Sequence, residues 1–455
     1  MMRKFFVPRA VMLAATLVLG ACAGAGFGRP TRAQQWYERA LAEFRAVDID
    51  AAHDSARHAL DIVPEDEEVR ILAARVALAR LEHDEVLRLL KGLEGATVNG
   101  LRGRAYWYKG DLNRAADELE QLLADPEVND AWAKEIVKLA RRGQGRKPFS
   151  MSSTEGNVAP IQMARVAAGP PVFVVPVEID GDEALALVST GQPEVMVDRA
   201  TRGEAGWISL RFGQRIEVKD VPALTEDLTA LSHQIGAPIK ALLGSNLLRH
   251  LNCTLDFKGR QFVARSFVPP PPPVASRVDL FYPRGGAMVL GSALGGESVH
   301  RASLYVDSSM AHTVALDQGG WRKIGIDPTK LKMDGAALGQ RVRSGTIPML
   351  QFGAFKLPRI PAIYGAPLDK LEKELKIDID GSIGAGLLAS FRLTFSDGGR
   401  VMWVEQQGDV PPPPPLNPGD LSQPIEEAPP SVLPPPSEGL PGLPSKLPGT
   451  NPKGF

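Results

Sequence analysis

Cysteine is almost missing from this chain: only Cys22 and Cys253 occur in 455 residues. No disulfide framework supports a fold with so few. Cys22 closes an apolar N-terminal segment. Cys253 lies in the strand-like run "LNCTLDF", where a lone cysteine acts as a small buried hydrophobe. Neither sign of charge dominates, since the formal net charge is −1. A global field that would recruit nucleic acid or an anionic membrane surface is therefore absent. No apolar run is long enough for a membrane span. The seven histidines, His53, His58, His83, His233, His250, His300 and His312, fall at no metal-ligand spacing with Cys or Glu, which argues against zinc. "DIDGSIG" at 378–384 has Asp378 and Asp380 but lacks the further ligands of a calcium loop. "GSALGG" at 291–296 lacks a phosphate-loop Lys-Ser/Thr and reads as a hairpin. No cofactor or metal is expected.

What is present suits globular domains: 44% hydrophobic and 23% charged residues, in a length for two or three domains. The N-terminus carries Arg3, Lys4 and Arg9, then the apolar run Ala10–Leu19, then Leu19-Gly20-Ala21-Cys22. The order of charged and apolar regions is that of a secretory signal. The ending resembles a bacterial lipoprotein lipobox, with residues 1–22 as signal peptide. That resemblance implies lipidation of the Cys22 thiol and a durable anchor, at about 0.8 kcal/mol per buried CH₂ of each acyl chain. Ala23, rather than aspartate, follows the cysteine. The resemblance then implies the outer membrane, facing the periplasm. An ordinary signal peptide with a chance cysteine is the plainer alternative.

Residues 33–142 read as successive amphipathic helices rich in Ala, Leu, Arg and Glu. Trp36, Ala52, Ala56, Ala59 and Pro64 sit at the spacing of one repeat. Gly103, Tyr106, Ala115, Leu119 and Leu122 fit a later copy. The stretch resembles degenerate tetratricopeptide repeats, a helical domain whose concave face would take a peptide or partner protein. A plain helical bundle is the alternative. The basic cluster Arg141, Arg142, Arg146 and Lys147 reads as a solvated helix end. Residues 143–165, rich in Gly, Ser, Lys and Pro, read as a linker.

Residues 166–266 switch to short alternating strands separated by turn signals, with one short helix expected at Ala241–His250. A Pro-rich linker, 267–285, includes Pro269–Pro273. Residues 286–406 repeat the strand-rich grammar. Residues 408–455, dominated by Pro, Gly, Ser and Leu, are expected to be disordered.

The two β segments share an internal order. Leu185–Val188 runs into Ser189-Thr190-Gly191, and Leu304–Val306 runs into Asp307-Ser308-Ser309. Each segment closes with an apolar-apolar-Gly element followed by a helix and a strand, at Gly244 and Gly384. This resembles the retropepsin-like and pepsin-like aspartic proteases over residues 170–266 and 286–406. The fold class expected is thus α + β multidomain: a helical repeat domain, then two all-β lobes paired by a pseudo-twofold axis, then a Pro-rich tail.

Protease chemistry in that family needs two aspartates sharing a proton. Ser189 stands where the first should be, and only Asp307 remains. A serine neither holds the shared proton nor deprotonates water near neutral pH. Ser309 also replaces a turn glycine. Thr190 and Ser308 keep the hydroxyls that brace the two loops in the family. The resemblance therefore implies an inactive cleft that binds an extended peptide or protein partner. An aspartic-type peptidase using Asp307 alone, or through dimerisation of the second lobe, is the alternative reading. A structural lipoprotein whose proline tail spans distance is a third. Asp307 also has a plain role as a turn aspartate bonding local N–H groups.

Overall fold

The computed structural model describes residues 29–151, 156–166, 171–296, 298–337, 340–365 and 368–407. The expected signal peptide with Cys22, and the expected disordered tail, lie outside them.

Seven helices come first: α1 (Thr31–Arg45), α2 (Ile49–Ile62), α3 (Glu67–Ala79), α4 (His83–Leu89), α5 (Ala96–Lys109), α6 (Leu112–Leu123) and α7 (Ala131–Arg142). Aspartates start three of them. Asp66, Asp111 and Asp130 accept hydrogen bonds from the backbone N–H groups of Val69, Arg114 and Ala133, satisfying donors that a helix leaves free. Each helix packs on the next. The seams are lined with alanine: Ala52, Ala56, Ala59, Ala74, Ala115 and Ala116 are all buried. Small side chains let neighbouring helix axes approach closely. The basic cluster at the end of α7 is more than a solvated end. Arg141 pairs with Asp117 and Glu120, Arg142 with Glu204, and Arg146 with Asp220.

Two closed six-stranded β barrels follow. In the first, the cyclic order is Val174–Ile179, Asp182–Val188, Ile239–Leu243, Val195–Asp198, Ile216–Glu226 and Gly206–Phe212, returning to Val174–Ile179. In the second it is Val289–Gly295, Val299–Asp307, Gly381–Gly384, Val314–Leu316, Phe355–Tyr364 and Gln340–Phe352, returning to Val289–Gly295. Order and strand direction match step for step. In both, the strand before the turn runs parallel to the closing apolar-Gly strand. The strand after the turn runs antiparallel to that closing strand. Closure leaves few free edges, a condition that antiparallel sheets must manage.

A third sheet joins the barrels, in the order Ser276–Asp279, Val401–Gln406, Phe391–Ser396, Thr254–Asp256, Gln261–Arg265, Val158–Gln162. Its centre pairs Thr254 with Thr394, Leu255 with Leu393 and Asp256 with Arg392. The Thr254 and Thr394 hydroxyls hydrogen-bond at 2.9 Å, 140 positions apart. Gly244 and Gly384 stand at the same offset, so Thr254 faces its own counterpart and the twofold axis passes between them. One continuous core fills both barrels and this sheet, including Phe173, Phe212, Phe262, Phe391, Phe395, Tyr282 and Trp321.

Three expectations are corrected. The 143–165 linker contributes two strands, Ser150–Met151 and Val158–Gln162. The 267–285 linker contributes Ser276–Asp279 and a 3₁₀ turn, Pro283–Gly285. Both longer strands sit at sheet edges, where a proline such as Pro160 is tolerated. The helix expected at Ala241–His250 starts only at Ser245, because Ile239–Leu243 is the closing strand of its barrel. Cys253 is a free, fully buried thiol, which burial pushes up to about 12. Asp380 anchors backbone instead of a ligand, accepting from Ser303 N–H at 2.9 Å and pairing with Lys323 at 2.7 Å.

Candidate functional site

The ladders put Ser189 and Asp307 at equivalent places. Val188 registers with Leu243 in the first barrel, and Val306 registers with Ile383 in the second. Ser189 and Asp307 are the next residues, each where a strand gives way to a turn. The two turns then interlock. Thr190 Oγ1 donates to the Val306 carbonyl at 2.9 Å and accepts from Ser308 N–H at 2.9 Å. Ser308 Oγ donates to the Val188 carbonyl at 2.8 Å and accepts from Thr190 N–H at 3.1 Å. All four bonds are buried. Each hydroxyl uses its one proton and one lone pair, so every group in the ring is satisfied.

Glycine is required where the closing strand passes behind each turn. A Cβ on Gly244 would lie 2.2 Å from the Glu194 carbonyl oxygen, and one on Gly384 would lie 2.2 Å from the His312 carbonyl oxygen. Backbone bonds fix these crossings: Ser245 N–H donates to Gln192 O at 2.7 Å, and Ala385 N–H to Met310 O at 2.7 Å.

Between the turns stands one carboxylate. Asp307 is 4% exposed. Its Oδ1 accepts from Ser309 N–H at 2.9 Å and Ser309 Oγ–H at 2.6 Å. Burial pushes its carboxyl above the usual aspartate value, while the Ser309 bonds and the Gly191 amide pull the other way. Ser309, which replaces a turn glycine, thus holds Asp307 through its hydroxyl and its N–H. Ser189 has no solvent exposure, and its Oγ has no hydrogen-bond partner.

Tyr305, two residues before Asp307, ties the second barrel to the first turn. Its hydroxyl donates to the Gly191 carbonyl at 2.6 Å. Burial and the neighbouring Asp307 push its phenol well above the ordinary range. Sequence reasoning missed Tyr305. The alternation along Val299–Asp307 gives its face, but the partner carbonyl is 114 positions away.

A second buried carboxylate, Glu194, follows the first turn. It is 2% exposed, and its Oε1 accepts from Trp107 Nε1–H at 3.1 Å and Trp132 Nε1–H at 3.3 Å. Burial raises its carboxyl, and the indole and Asn246 bonds offset part of this. The counterpart position in the second barrel is His312, whose ring bonds Ser382 Oγ at 3.0 Å and is lowered by burial to about 4.

The largest difference between the barrels is one insertion. The offset between equivalent residues rises from 118 at Thr190–Ser308 to 140 at Thr254–Thr394. The added length includes the hairpin formed by Lys332–Ala337 and the start of Gln340–Phe352. The first barrel has only 199–205 there, and Ala205 packs on the helices instead.

No family model matches the chain, and no curated protein matches it. Among solved structures it is similar to a retropepsin-like aspartic protease from Rickettsia conorii. The identity is 18%, the match covers 30% of this chain and 94% of that chain, and the TM-score is 0.23. The helical region is followed by two six-stranded barrels of matching strand order, joined by one shared sheet.

Proposed function

We propose that this chain is an envelope lipoprotein with a catalytically silent aspartic-protease-like cleft, acting as a binding or scaffold module for an extended peptide or protein. The observation that carries this reading is the pairing of Ser189 with Asp307. A serine hydroxyl cannot replace the second carboxyl of a proton-sharing dyad, in which an ionised carboxylate acts as base beside a neutral acid. The bracing hydroxyls of Thr190 and Ser308 support a retained architecture without supplying chemistry. The helices are read as tetratricopeptide-like on the spacing of Trp36, Ala52, Ala56, Ala59 and Pro64. The anchor is read from Leu19-Gly20-Ala21-Cys22, and outer-membrane placement from Ala23. No described helix is long and apolar enough to cross a membrane, which does not bear on a lipid anchor.

The test is incubation of the purified protein with a denatured protein substrate at acidic and neutral pH, with Asp307→Ala as control. No cleavage by either form is expected. Cleavage by the wild type that Asp307→Ala abolishes would establish the second reading, a peptidase using Asp307. That reading is favoured by one observation: a buried carboxyl is kept at the interlocked turns. For the anchor, Cys22→Ser should release the protein from membrane fractions or block its maturation. Unchanged partition with no lipid label on the wild type would sink it.

A further inference from the structure

We infer that the helical region is a built-in splint, its lobe-facing surface already occupied by this chain, and that it holds the two barrels in one fixed arrangement. The proposal is independent of whether the cleft is catalytic. Helices α3 and α5 both pack on the 3₁₀ turn Pro283–Gly285, which leads from the shared sheet into the second barrel. Tyr282 N–H donates to the Ala79 carbonyl at the end of α3, at 2.8 Å. Gly285 has φ +83, and a Cβ there would strike Tyr108 of α5 at 2.2 Å. Arg284 pairs with Asp130 at 2.7 Å, and Arg104 of α5 pairs with the same oxygen at 2.7 Å. Further along the second barrel, Asp378 N–H donates to Arg45 O at 2.8 Å and Ser303 Oγ to Ala46 O at 2.9 Å.

The same helices grip the first barrel. Trp107 and Trp132 donate to Glu194, which lies three residues beyond Gly191. Trp207 Nε1–H donates to the Leu139 carbonyl of α7 at 3.0 Å. One helical body therefore binds the loop that carries Ser189 and the strands that lead to Asp307. A rigid element bonded to both barrels restrains hinge motion between them. It also leaves this face of the helices with no room for a separate partner.

The test is site-resolved amide hydrogen exchange on the full chain. Thr190 and Ser308 amides bond across the lobes, so their protection reports lobe separation. Trp107→Phe with Trp132→Phe removes both indole donors to Glu194 and keeps an aromatic ring at each place. Arg284→Met, made separately, removes the pair to Asp130 without touching the first barrel. Each variant should raise exchange at Thr190 and Ser308 by about tenfold or more, the factor for losing a hydrogen bond to a charged group. Exchange within α2 should be unchanged. Two results would overturn the proposal. One is unchanged Thr190 and Ser308 exchange in both variants. The other is exchange rising equally in α2, Thr190 and Ser308, which would mean that the contacts only support global stability.

Discussion

Thr190→Val is the sharpest test of the interlocked turns. Valine keeps the shape of threonine and removes only the hydroxyl. Thr190 is fully buried, so water cannot replace what is lost. Two groups lose their partner: the Val306 carbonyl and the Ser308 N–H. Leaving a buried polar group unsatisfied costs about 1–3 kcal/mol. Thr190→Val should therefore destabilise the β region by about 1–5 kcal/mol, after a small gain from the added methyl. Urea unfolding followed by near-ultraviolet circular dichroism measures this as a lower midpoint at unchanged slope. Ser308→Ala should behave alike, orphaning the Val188 carbonyl and the Thr190 N–H. The four bonds form one ring, so the double variant should fall short of the sum by about 0.5–3 kcal/mol. A shift below about 0.5 kcal/mol for Thr190→Val, or strict additivity in the double variant, would refute the account of the ring as a cooperative brace.

Two further outcomes are expected. Asp307 has a raised carboxyl in the folded state, so the folded protein holds that proton more tightly than the unfolded chain. Its contribution is most favourable at low pH and is lost as pH rises from the ordinary aspartate value near 3.8 through the folded value. Stability of the wild type minus that of Asp307→Asn should therefore fall across that interval and then level off; a flat difference would remove the claim of a desolvated carboxyl. Gly384→Ala places a Cβ on the His312 carbonyl oxygen and should lower the thermal midpoint substantially, with Gly244→Ala matching it at the Glu194 carbonyl. Free accommodation of either alanine would show that the crossings are looser than described.

Much of the β architecture was legible because its signals are local. Ser189-Thr190-Gly191, Asp307-Ser308-Ser309, Gly244 and Gly384 each sit in a short run whose apolar flanks define a buried strand. The shared sheet was harder to read. Val158–Gln162 pairs with Gln261–Arg265, about a hundred positions away, and Pro160 masks its strand character. Ser276–Asp279 is short, polar and preceded by prolines, so composition reads it as linker. Both make sense only as edges of a sheet that no local window contains. The roles of Tyr305 and Glu194 were invisible for a related reason. Sequence shows a tyrosine and a glutamate on strand-like segments. Only the fold brings a carbonyl to one and two indoles to the other. Helix periodicity, in turn, marked α2 and its buried Ala52, Ala56 and Ala59, but not that the helices would dock on the barrels.

The register at Thr254 has a consequence for ancestry. A strand that meets its own counterpart on a twofold axis needs no partner of different sequence. A single barrel with its half of the shared sheet would expose a self-complementary edge, and two such copies could close the same six strands. Joining them end to end in one chain frees each half to diverge. Ser189 opposite Asp307, Glu194 opposite His312, and a hairpin on one side alone are asymmetries that a pair of identical subunits could not have acquired one at a time.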